Sequence, residues 1–234
     1  VHYLKLGARK GRNPHPLFDT GYYLKKCPDV AVSGMNPLVH YIEFGALEGK
    51  NPHPLFDTGY YLKKYPDVAV SGMNPLVHFL AYGAKDRRNP IPLFDTAYYL
   101  TGNPEIVETS VHPLIHYLEQ GARMKRNPHP FFQSDYYLRK NSDVAVSGMN
   151  PLIHYIELGA DEGRKPNPVF DASYYLEKYP EHYDPEMNPL SHYIEYGNPK
   201  GINPGPIFDM DYYVRAYPDI LQAGVNPLTH YLET

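Results

Sequence analysis

The chain repeats itself every 38 residues, and no insertion or deletion interrupts the repetition. Six phenylalanines keep this step: Phe18, Phe56, Phe94, Phe132, Phe170 and Phe208. Histidines keep it as well, starting at His2. A fixed period of about 20–50 residues is typical of repeat architectures, in which each unit buries its apolar face against its neighbours. Any function must therefore be sought in the unit and in its stacking.

The period divides the chain into one partial unit and six repeats, of which the last is incomplete. We place their boundaries at residues 1–12 for the partial unit and then 13–50, 51–88, 89–126, 127–164, 165–202 and 203–234. Neither end shows the polar cap that usually closes a solenoid. We therefore expect the array to continue beyond this sequence or into another chain.

Each repeat opens with a proline-rich connector, as at residues 13–16. Its two prolines disfavour a helix and predict a short polyproline-like segment. Asp19 is a good N-cap for a helix over about residues 20–27. Phe18, just before the cap, is placed to pack on Tyr23 as a hydrophobic staple.

The rest of the repeat predicts one helical turn and a second helix. Pro28 ends the first helix, and residues 29–34 are typical of a single turn closed by a glycine. Asn36–Pro37 is a strong start signal, because asparagine caps well and proline is favoured at the first helical position. The second helix then covers residues 38–44, and Gly45 is the predicted C′ residue.

These elements predict an all-α fold, an α-solenoid of about six 38-residue helix-pair repeats joined by Pro-rich connectors. The architecture is similar to that of tetratricopeptide and Sel1-like repeats, without their signatures. Helices of about eight residues are marginal alone. We therefore expect Leu24, Leu38, Tyr41 and Ile42 to be buried against the neighbouring unit, and each repeat to contact mainly its neighbours.

Composition excludes several classes of function. The net charge is −4 with mixed signs, so the chain lacks the basic stripe that nucleic-acid binding requires. No apolar run approaches the roughly 18–20 residues of a membrane span, and no secretory signal is visible. Cys27 is the single cysteine, which rules out an intrachain disulfide and a cysteine-based zinc site.

The histidine series is the first candidate for a ligand site. Its later members are His40, His78, His116, His154, His192 and His230. Two ligands of one zinc ion lie within about 4 Å of each other, whereas stacked helices are about 10 Å apart. We therefore predict no metal and no cofactor, and expect these rings to be half-buried and hydrogen-bonded to a backbone carbonyl or a carboxylate. Contact with a ligand is the alternative.

A second group of histidines lies in the connectors, at His15, His53 and His129. The same position holds Ile91, Asn167 and Gly205 in the other repeats. Because the repeat does not require histidine there, we interpret these side chains as surface residues.

Paired tyrosines at the start of each first helix are the second candidate. We expect one ring of each pair to enter the core and the other to be partly exposed. The predicted exposed members are Tyr22, Tyr60, Tyr98, Tyr136, Tyr174 and Tyr212. Aromatic faces beside polar groups are suited to sugars, whose CH faces stack on rings. Packing within and between repeats is the alternative interpretation.

Aspartates precede the first helices at Asp19, Asp57, Asp95, Asp171 and Asp209, and Gln133 replaces one copy. Carboxylates can act as general acids or bases, but N-capping explains residues at this place. Catalysis also requires a singular constellation, whereas every notable residue here recurs. We therefore predict no catalytic residue within the chain.

The unit closely resembles 38-residue tandem repeats of bacterial proteins. The resemblance is carried by Phe56-Asp57, Tyr60-Tyr61-Leu62, Pro66-Asp67-Val68 and Asn74-Pro75-Leu76-Val77-His78. Repeats of this family occur beside large glycosyltransferases of surface-polysaccharide assembly and in secreted or surface repeat proteins. The resemblance implies a cell-surface or extracellular setting. The third repeat departs from the pattern at Ser110 and His112, and the fifth at Glu186.

Together these features predict a non-enzymatic structural or scaffold array at the bacterial surface. Its expected partners are its own repeats, including end-to-end association into a fibre, and surface polysaccharide. Two alternatives stay open. One is a glycan-binding array that gains affinity by multivalency. The other is an accessory repeat region of a surface-polysaccharide glycosyltransferase.

Overall fold

The computed structural model describes residues 3–109, 111–180, 185 and 187–234. Ser110 and Glu186, two of the predicted departures, and His2 lie outside these residues. The chain forms two compact units, Val1–Leu118 and Glu119–Thr234, which are described separately. The described residues form short helices and no β-strand. The predicted all-α repeat fold is thus confirmed, whereas the exact repeat boundaries stay a prediction.

A complete repeat contains three helices, and the third changes from α-helical to π-helical geometry at its middle. In the first repeat they are Thr20–Lys26, Pro28–Ser33 and Pro37–His40 followed by Tyr41–Gly45; in the second, Thr58–Lys64, Pro66–Ser71 and Pro75–His78 followed by Phe79–Gly83; in the third, Thr96–Thr101, Pro104–Thr109 and Pro113–His116 followed by Tyr117–Gly121. The partial unit contributes Tyr3–Gly7 and Ala8–Lys10.

The described residues of the later repeats follow the same order, although they include no second helix in the fifth repeat and the third helix of the sixth is α-helical throughout. The fourth contains Ser134–Lys140, Ser142–Ser147 and Pro151–His154 followed by Tyr155–Gly159; the fifth, Ala172–Lys178 and Pro189–His192 followed by Tyr193–Gly197 and Asn198–Lys200; the sixth, Met210–Ala216, Pro218–Gln222 and Pro227–Glu233. We refer to the helices of each repeat as its first, second and third helix.

The first helix begins as the sequence predicts. The Asp19 carboxylate accepts a hydrogen bond from the Tyr22 amide at 2.8 Å and so satisfies one of the free donors at the helix start. The rings of Phe18 and Tyr23 lie 5.4 Å apart, which confirms the hydrophobic staple. The helix ends at Lys26, one residue earlier than predicted.

The second helix was expected to be only a turn. Pro28 both ends the first helix and occupies the first position of the second, where its missing N–H costs nothing. Asp29 adds an acidic side chain to the first turn, which the helix dipole favours. Gly34 closes the helix with φ of 71°, as predicted for a glycine in the left-handed region.

The third helix begins at the predicted cap. The Asn36 side chain accepts hydrogen bonds from the Leu38 and Val39 amides, and Pro37 takes the first helical position. The helix then widens, because the Ala46 amide bonds to the Tyr41 carbonyl five residues earlier, at 2.9 Å. This π-helical turn was not predicted.

The connectors carry hydrogen bonds between consecutive repeats. In the unit Val1–Leu118, the Asp19 amide donates to the Pro52 carbonyl at 2.9 Å and the Asp57 amide to the Pro90 carbonyl at 3.1 Å. In the unit Glu119–Thr234, the matching bonds join Gln133 to Pro166 at 3.1 Å and Asp171 to Pro204 at 3.0 Å. The connectors are therefore the seams along which repeats join.

The core of a repeat differs in part from the predicted set. Tyr41 is buried as expected, but Leu24 and Leu38 are half-buried and Ile42 is 52 % exposed. The helix turns its Pro37, Tyr41 and Gly45 side inward, and Ile42 lies about 100° away from that side. The connector supplies the missing core, since Leu17 and Phe18 and their described counterparts in the second to fourth repeats are buried.

Contacts also reach beyond the neighbouring repeat. In the unit Glu119–Thr234, the Gln133 side-chain amide of the fourth repeat donates to the Leu232 carbonyl of the sixth at 3.0 Å. This hydrogen bond skips one repeat, in addition to the bonds between consecutive repeats.

We expect Asp57→Ala to destabilise the second repeat by about 1 kcal/mol, because the Tyr60 amide loses the carboxylate that caps it at 2.8 Å. Asp57→Asn is the matched control, since asparagine caps equally well. Urea unfolding followed by circular dichroism measures both. Equal loss in the two variants would mean that the charge, and not the cap, stabilises the helix.

Candidate functional site

The histidine series pairs with the second tyrosine of each tyrosine pair. His40 Nδ1 lies 2.8 Å from the Tyr23 hydroxyl, and both side chains belong to the same repeat. The matching distances are 3.0 Å for Tyr61–His78, 2.8 Å for Tyr99–His116, 2.9 Å for Tyr137–His154, 2.8 Å for Tyr175–His192 and 2.7 Å for Tyr213–His230. We call each of these a Tyr–His pair.

Folding of the repeat positions both members of the pair. The tyrosine lies on the inward side of the first helix, and its ring packs between the connector phenylalanine and the aromatic residue that begins the π-helical turn. For Tyr23 these neighbours are Phe18 and Tyr41, whose ring centroids lie 5.4 Å and 5.9 Å from that of Tyr23. In the first five repeats the histidine is the last α-helical residue of the third helix, directly before that turn. The pair therefore joins the first helix to the third.

A glycine lies against the tyrosine hydroxyl of the Tyr–His pair in the first, second, fourth and fifth repeats. A β-carbon added to Gly45 would lie 2.1 Å from the Tyr23 hydroxyl oxygen. The corresponding distances are 2.2 Å at Gly83, 2.0 Å at Gly159 and 2.6 Å at Gly197. Gly45 was predicted to end the helix with left-handed geometry, but the backbone continues through it in helical conformation. Its role is to leave room for the hydroxyl.

The predicted partner of the histidines was therefore wrong. A backbone carbonyl or a carboxylate was expected, and the structure supplies a phenol. His40, His78 and His230 are half-buried as predicted, whereas His116, His154 and His192 are buried. Burial lowers the pKa of His78 and His154, with a further lowering by the nearby Arg88 and Arg164 respectively.

Burial also affects the tyrosine members. It raises the pKa of Tyr175 to about 12 and raises that of Tyr23, Tyr61 and Tyr137 further. These phenols stay protonated and neutral at physiological pH. In these repeats the tyrosine therefore contributes a neutral hydroxyl to the hydrogen bond of the Tyr–His pair.

The first tyrosines of the pairs are less buried, as predicted. Tyr22, Tyr60, Tyr98, Tyr136 and Tyr174 are half-buried and Tyr212 is exposed. In three repeats the lysine four residues later lies over the ring, at 5.6 Å for Lys26 and 6.0 Å for both Lys64 and Lys140. A lysine in this position covers a ring face that sugar stacking would require.

The connector histidines are not surface residues. His53 and His129 are only 5 % and 7 % exposed, and His15 is half-buried. The ring of His53 accepts a hydrogen bond at Nδ1 from the Leu55 amide at 3.0 Å, and that of His15 accepts one from the Leu17 amide at 3.1 Å. Because the connectors pack into the core, these histidines hold a turn instead of facing solvent.

The aspartates before the first helices act as N-caps. All five accept a hydrogen bond from the backbone amide three residues later, at 2.8–3.0 Å. Gln133 makes no cap bond and uses its amide for the contact with Leu232. The interpretation of these carboxylates as caps is confirmed.

A set of exposed side chains beside the histidines was missed by sequence reasoning. Phe44, Tyr82 and Tyr196 are 48 %, 53 % and 38 % exposed, and each follows its histidine by four residues. Their ring centroids lie 5.9, 5.7 and 4.9 Å from His40, His78 and His192. The i, i+4 spacing was the available signal, because such residues are neighbours on a helix surface.

Ion pairs lie near two of the Tyr–His pairs. Arg88 contacts Asp67 at 2.8 Å, and Arg164 contacts Asp143 at 2.8 Å. The hydrogen bond from Arg164 lowers the pKa of Asp143 to about 2. The carboxylates are mostly exposed, so these pairs contribute little to stability.

An apolar groove of about 240 Å³ lies between the partial unit and the first repeat. Leu4 lines one side, and Leu24, Val30 and Met35 line the other. Arg9 is the charged residue in the lining. This groove brings together no acid–base pair and no nucleophile with a base.

Three further features concern metal binding, membrane insertion and the single cysteine. Within the part of the chain that the structure describes, no three histidine, cysteine, aspartate or glutamate side chains are grouped in a way that could hold a metal ion. Nor does a helix among these residues have the length and apolar character needed to cross a bilayer. Cys27 is a buried free thiol whose pKa is raised by burial.

Comparison with known proteins finds no matching family model, no matching curated protein and no matching solved structure. The resemblance to repeats of bacterial surface proteins and polysaccharide glycosyltransferases thus stays a proposal. The function must be argued from the repeat itself.

Proposed function

We propose that this chain is a structural scaffold, a helical repeat array of a bacterial cell-surface or extracellular protein without an active site of its own. One observation carries the proposal. The recurring side chains that could perform chemistry are engaged inside the repeat. The tyrosine and the histidine bond to each other, and the aspartates accept hydrogen bonds from backbone amides as helix caps. What a repeat offers outward is its regular surface.

Association between arrays is part of this proposal. Aromatic and aliphatic side chains recur on the outer surface, and the net charge of −4 gives little repulsion between copies. Light scattering coupled to size exclusion measures the molar mass across a wide range of concentrations. We expect the mass to increase with concentration. A constant monomer mass would remove self-association and leave only a spacer role.

A glycan-binding array is the second candidate, and the exposed rings beside the histidines favour it. Tyr82 and Tyr196 present aromatic surface near a polar imidazole, which suits a sugar. Weak sites on several repeats would gain by multivalency. An accessory role beside a polysaccharide glycosyltransferase is compatible with either candidate.

An array of bacterial surface polysaccharides separates the two candidates. We expect the labelled chain and its Tyr82→Ser/Tyr196→Ser variant to give the same background signal, because the scaffold does not use these rings. Circular dichroism checks that the variant is folded. Retention of the unaltered chain that is lost at least tenfold in the variant would overturn the scaffold proposal in favour of glycan binding.

A further inference from the structure

Three histidines and one carboxylate in the unit Val1–Leu118 are linked by electrostatic influence, and we call them the histidine cluster. His15 and His53 occupy the same connector position in the first two repeats, and His112 precedes the third helix of the third. His15 acts electrostatically on both other rings, and Asp19 acts on His53. The cluster therefore connects three successive repeats through titratable groups.

The hydrogen bonds of the connector histidines require the neutral ring. The Leu55 amide donates to His53 Nδ1, and the Leu17 amide donates to His15 Nδ1. A protonated imidazole carries N–H groups on both nitrogens and accepts nothing. Protonation would therefore bring two N–H donors together in each connector. His53 is only 5 % exposed whereas His15 is half-buried, so the effect is larger at His53.

The Tyr–His pairs do not share this sensitivity. A phenol both donates and accepts hydrogen bonds, so a protonated ring can still donate to it. Protonation of His78, for example, leaves a possible bond to Tyr61, 3.0 Å away. Protonation therefore breaks the hydrogen bond of a connector histidine but not that of a Tyr–His pair.

The fifth repeat contains a natural version of the connector without a histidine. Asn167 occupies the position of His53, and its side-chain oxygen accepts from the Val169 amide at 2.9 Å. The same turn is therefore held by a side-chain amide, which does not titrate at physiological pH. In the unit Glu119–Thr234, His129 is the connector histidine, with its Nδ1 accepting from the Phe131 amide.

We propose that the histidine cluster is an acid-sensitive switch, which opens the connectors of the first two repeats when His53 and His15 take up protons. The groups that act on His53 are Asp19, which favours its protonated form, and His15, which opposes it. The rings of His112 and Phe79 lie edge-on with their centroids 4.9 Å apart. The backbone of Phe79 favours the protonated form of His112, and His15 opposes it. Opening would expose the seams between the first three repeats.

The direction of the pH effect follows from the pKa shifts. Burial lowers the pKa of His53 and of His112 to about 4, below the ordinary value of 6.5. The unfolded chain then binds protons first as the pH falls, so the stabilisation is complete above pH 6.5 and is lost between about pH 6.5 and 4. Carboxylates protonate mostly below this window.

Hydrogen exchange measured by mass spectrometry on the full chain tests the proposal. Exchange rates are corrected for the intrinsic effect of pH and compared between about pH 7.5 and 4.5. We expect protection in residues 51–58 to fall at least tenfold more than in residues 165–172. His53→Asn should remove the excess fall, because asparagine maintains the turn at Asn167. His129→Asn in the other unit is the matched control and should leave residues 51–58 unchanged.

The converse variant keeps the test decisive if His53→Asn fails to fold. Asn167→His should make residues 165–172 lose protection at least tenfold on acidification. The proposal is wrong if both connectors respond equally in the unaltered chain. It is also wrong if a folded His53→Asn retains the full acid response, or if Asn167→His gains none.

Discussion

Gly83→Ala is expected to destabilise the unit Val1–Leu118 by about 3 kcal/mol. The added β-carbon would lie 2.2 Å from the Tyr61 hydroxyl oxygen and 2.9 Å from a ring carbon of Phe79. One of these side chains must move, and both are buried in a filled core. Movement of the tyrosine also breaks its bond to His78. Urea unfolding followed by circular dichroism gives the free-energy change.

A matched control lies in the same repeat. Gly59 belongs to the first helix, where an added β-carbon would have an ordinary contact at 3.5 Å with the Asp57 side chain. Alanine occupies this position in the third repeat, at Ala97. We expect Gly59→Ala to stabilise the chain by about 0.5–1 kcal/mol, because alanine loses less backbone entropy in a helix. If both variants destabilise equally, the close approach to Tyr61 is not the cause.

Tyr137→Phe is expected to cost about 2 kcal/mol, because His154 would lose its partner in a place closed to water. Tyr136→Phe is the control on the adjacent residue, whose ring is half-buried, and should change stability by less than about 0.5 kcal/mol. Thermal and urea unfolding of the two variants supply the comparison.

A double variant separates the hydrogen bond from simple packing. In Tyr137→Phe/His154→Leu, both polar partners are replaced by apolar groups, and the desolvation penalty of a lone imidazole disappears. We expect a coupling energy of at least about 1 kcal/mol between the two positions. If the effects of the two substitutions on stability are additive, the 2.9 Å hydrogen bond between Tyr137 and His154 contributes nothing beyond the packing of the two side chains.

The parts of the fold that could be predicted are those determined within a few residues of sequence. Asp19 and Asn36 act as caps, Pro28 ends a helix and Gly34 closes one, because each effect depends on the adjacent backbone alone. The extent of the second helix was underestimated, since Pro28 was interpreted only as a stop. Local rules thus gave the order of elements with small errors at their ends.

The candidate site was less predictable, because its contacts join distant segments. His40 and Tyr23 are 17 residues apart, and no local rule relates them. The burial of His53 depends on how connectors pack, which the unit sequence does not reveal. The invariant spacing of tyrosine, histidine and glycine was a usable signal. It indicated that these residues belong together, without indicating which atoms meet.

The connector seams have a consequence for how such an array can change in length. Within each compact unit, consecutive repeats are joined there by a bond from the amide of residue 19 or its equivalent to a proline carbonyl, so the bond depends on backbone groups. The Tyr–His pair, in contrast, lies wholly within one repeat. Duplication or deletion of one whole 38-residue unit therefore preserves both kinds of bond, whereas a gain of a single residue between Tyr23 and Gly45 disrupts the pair. The repeat is a modular unit of genetic as well as structural extension.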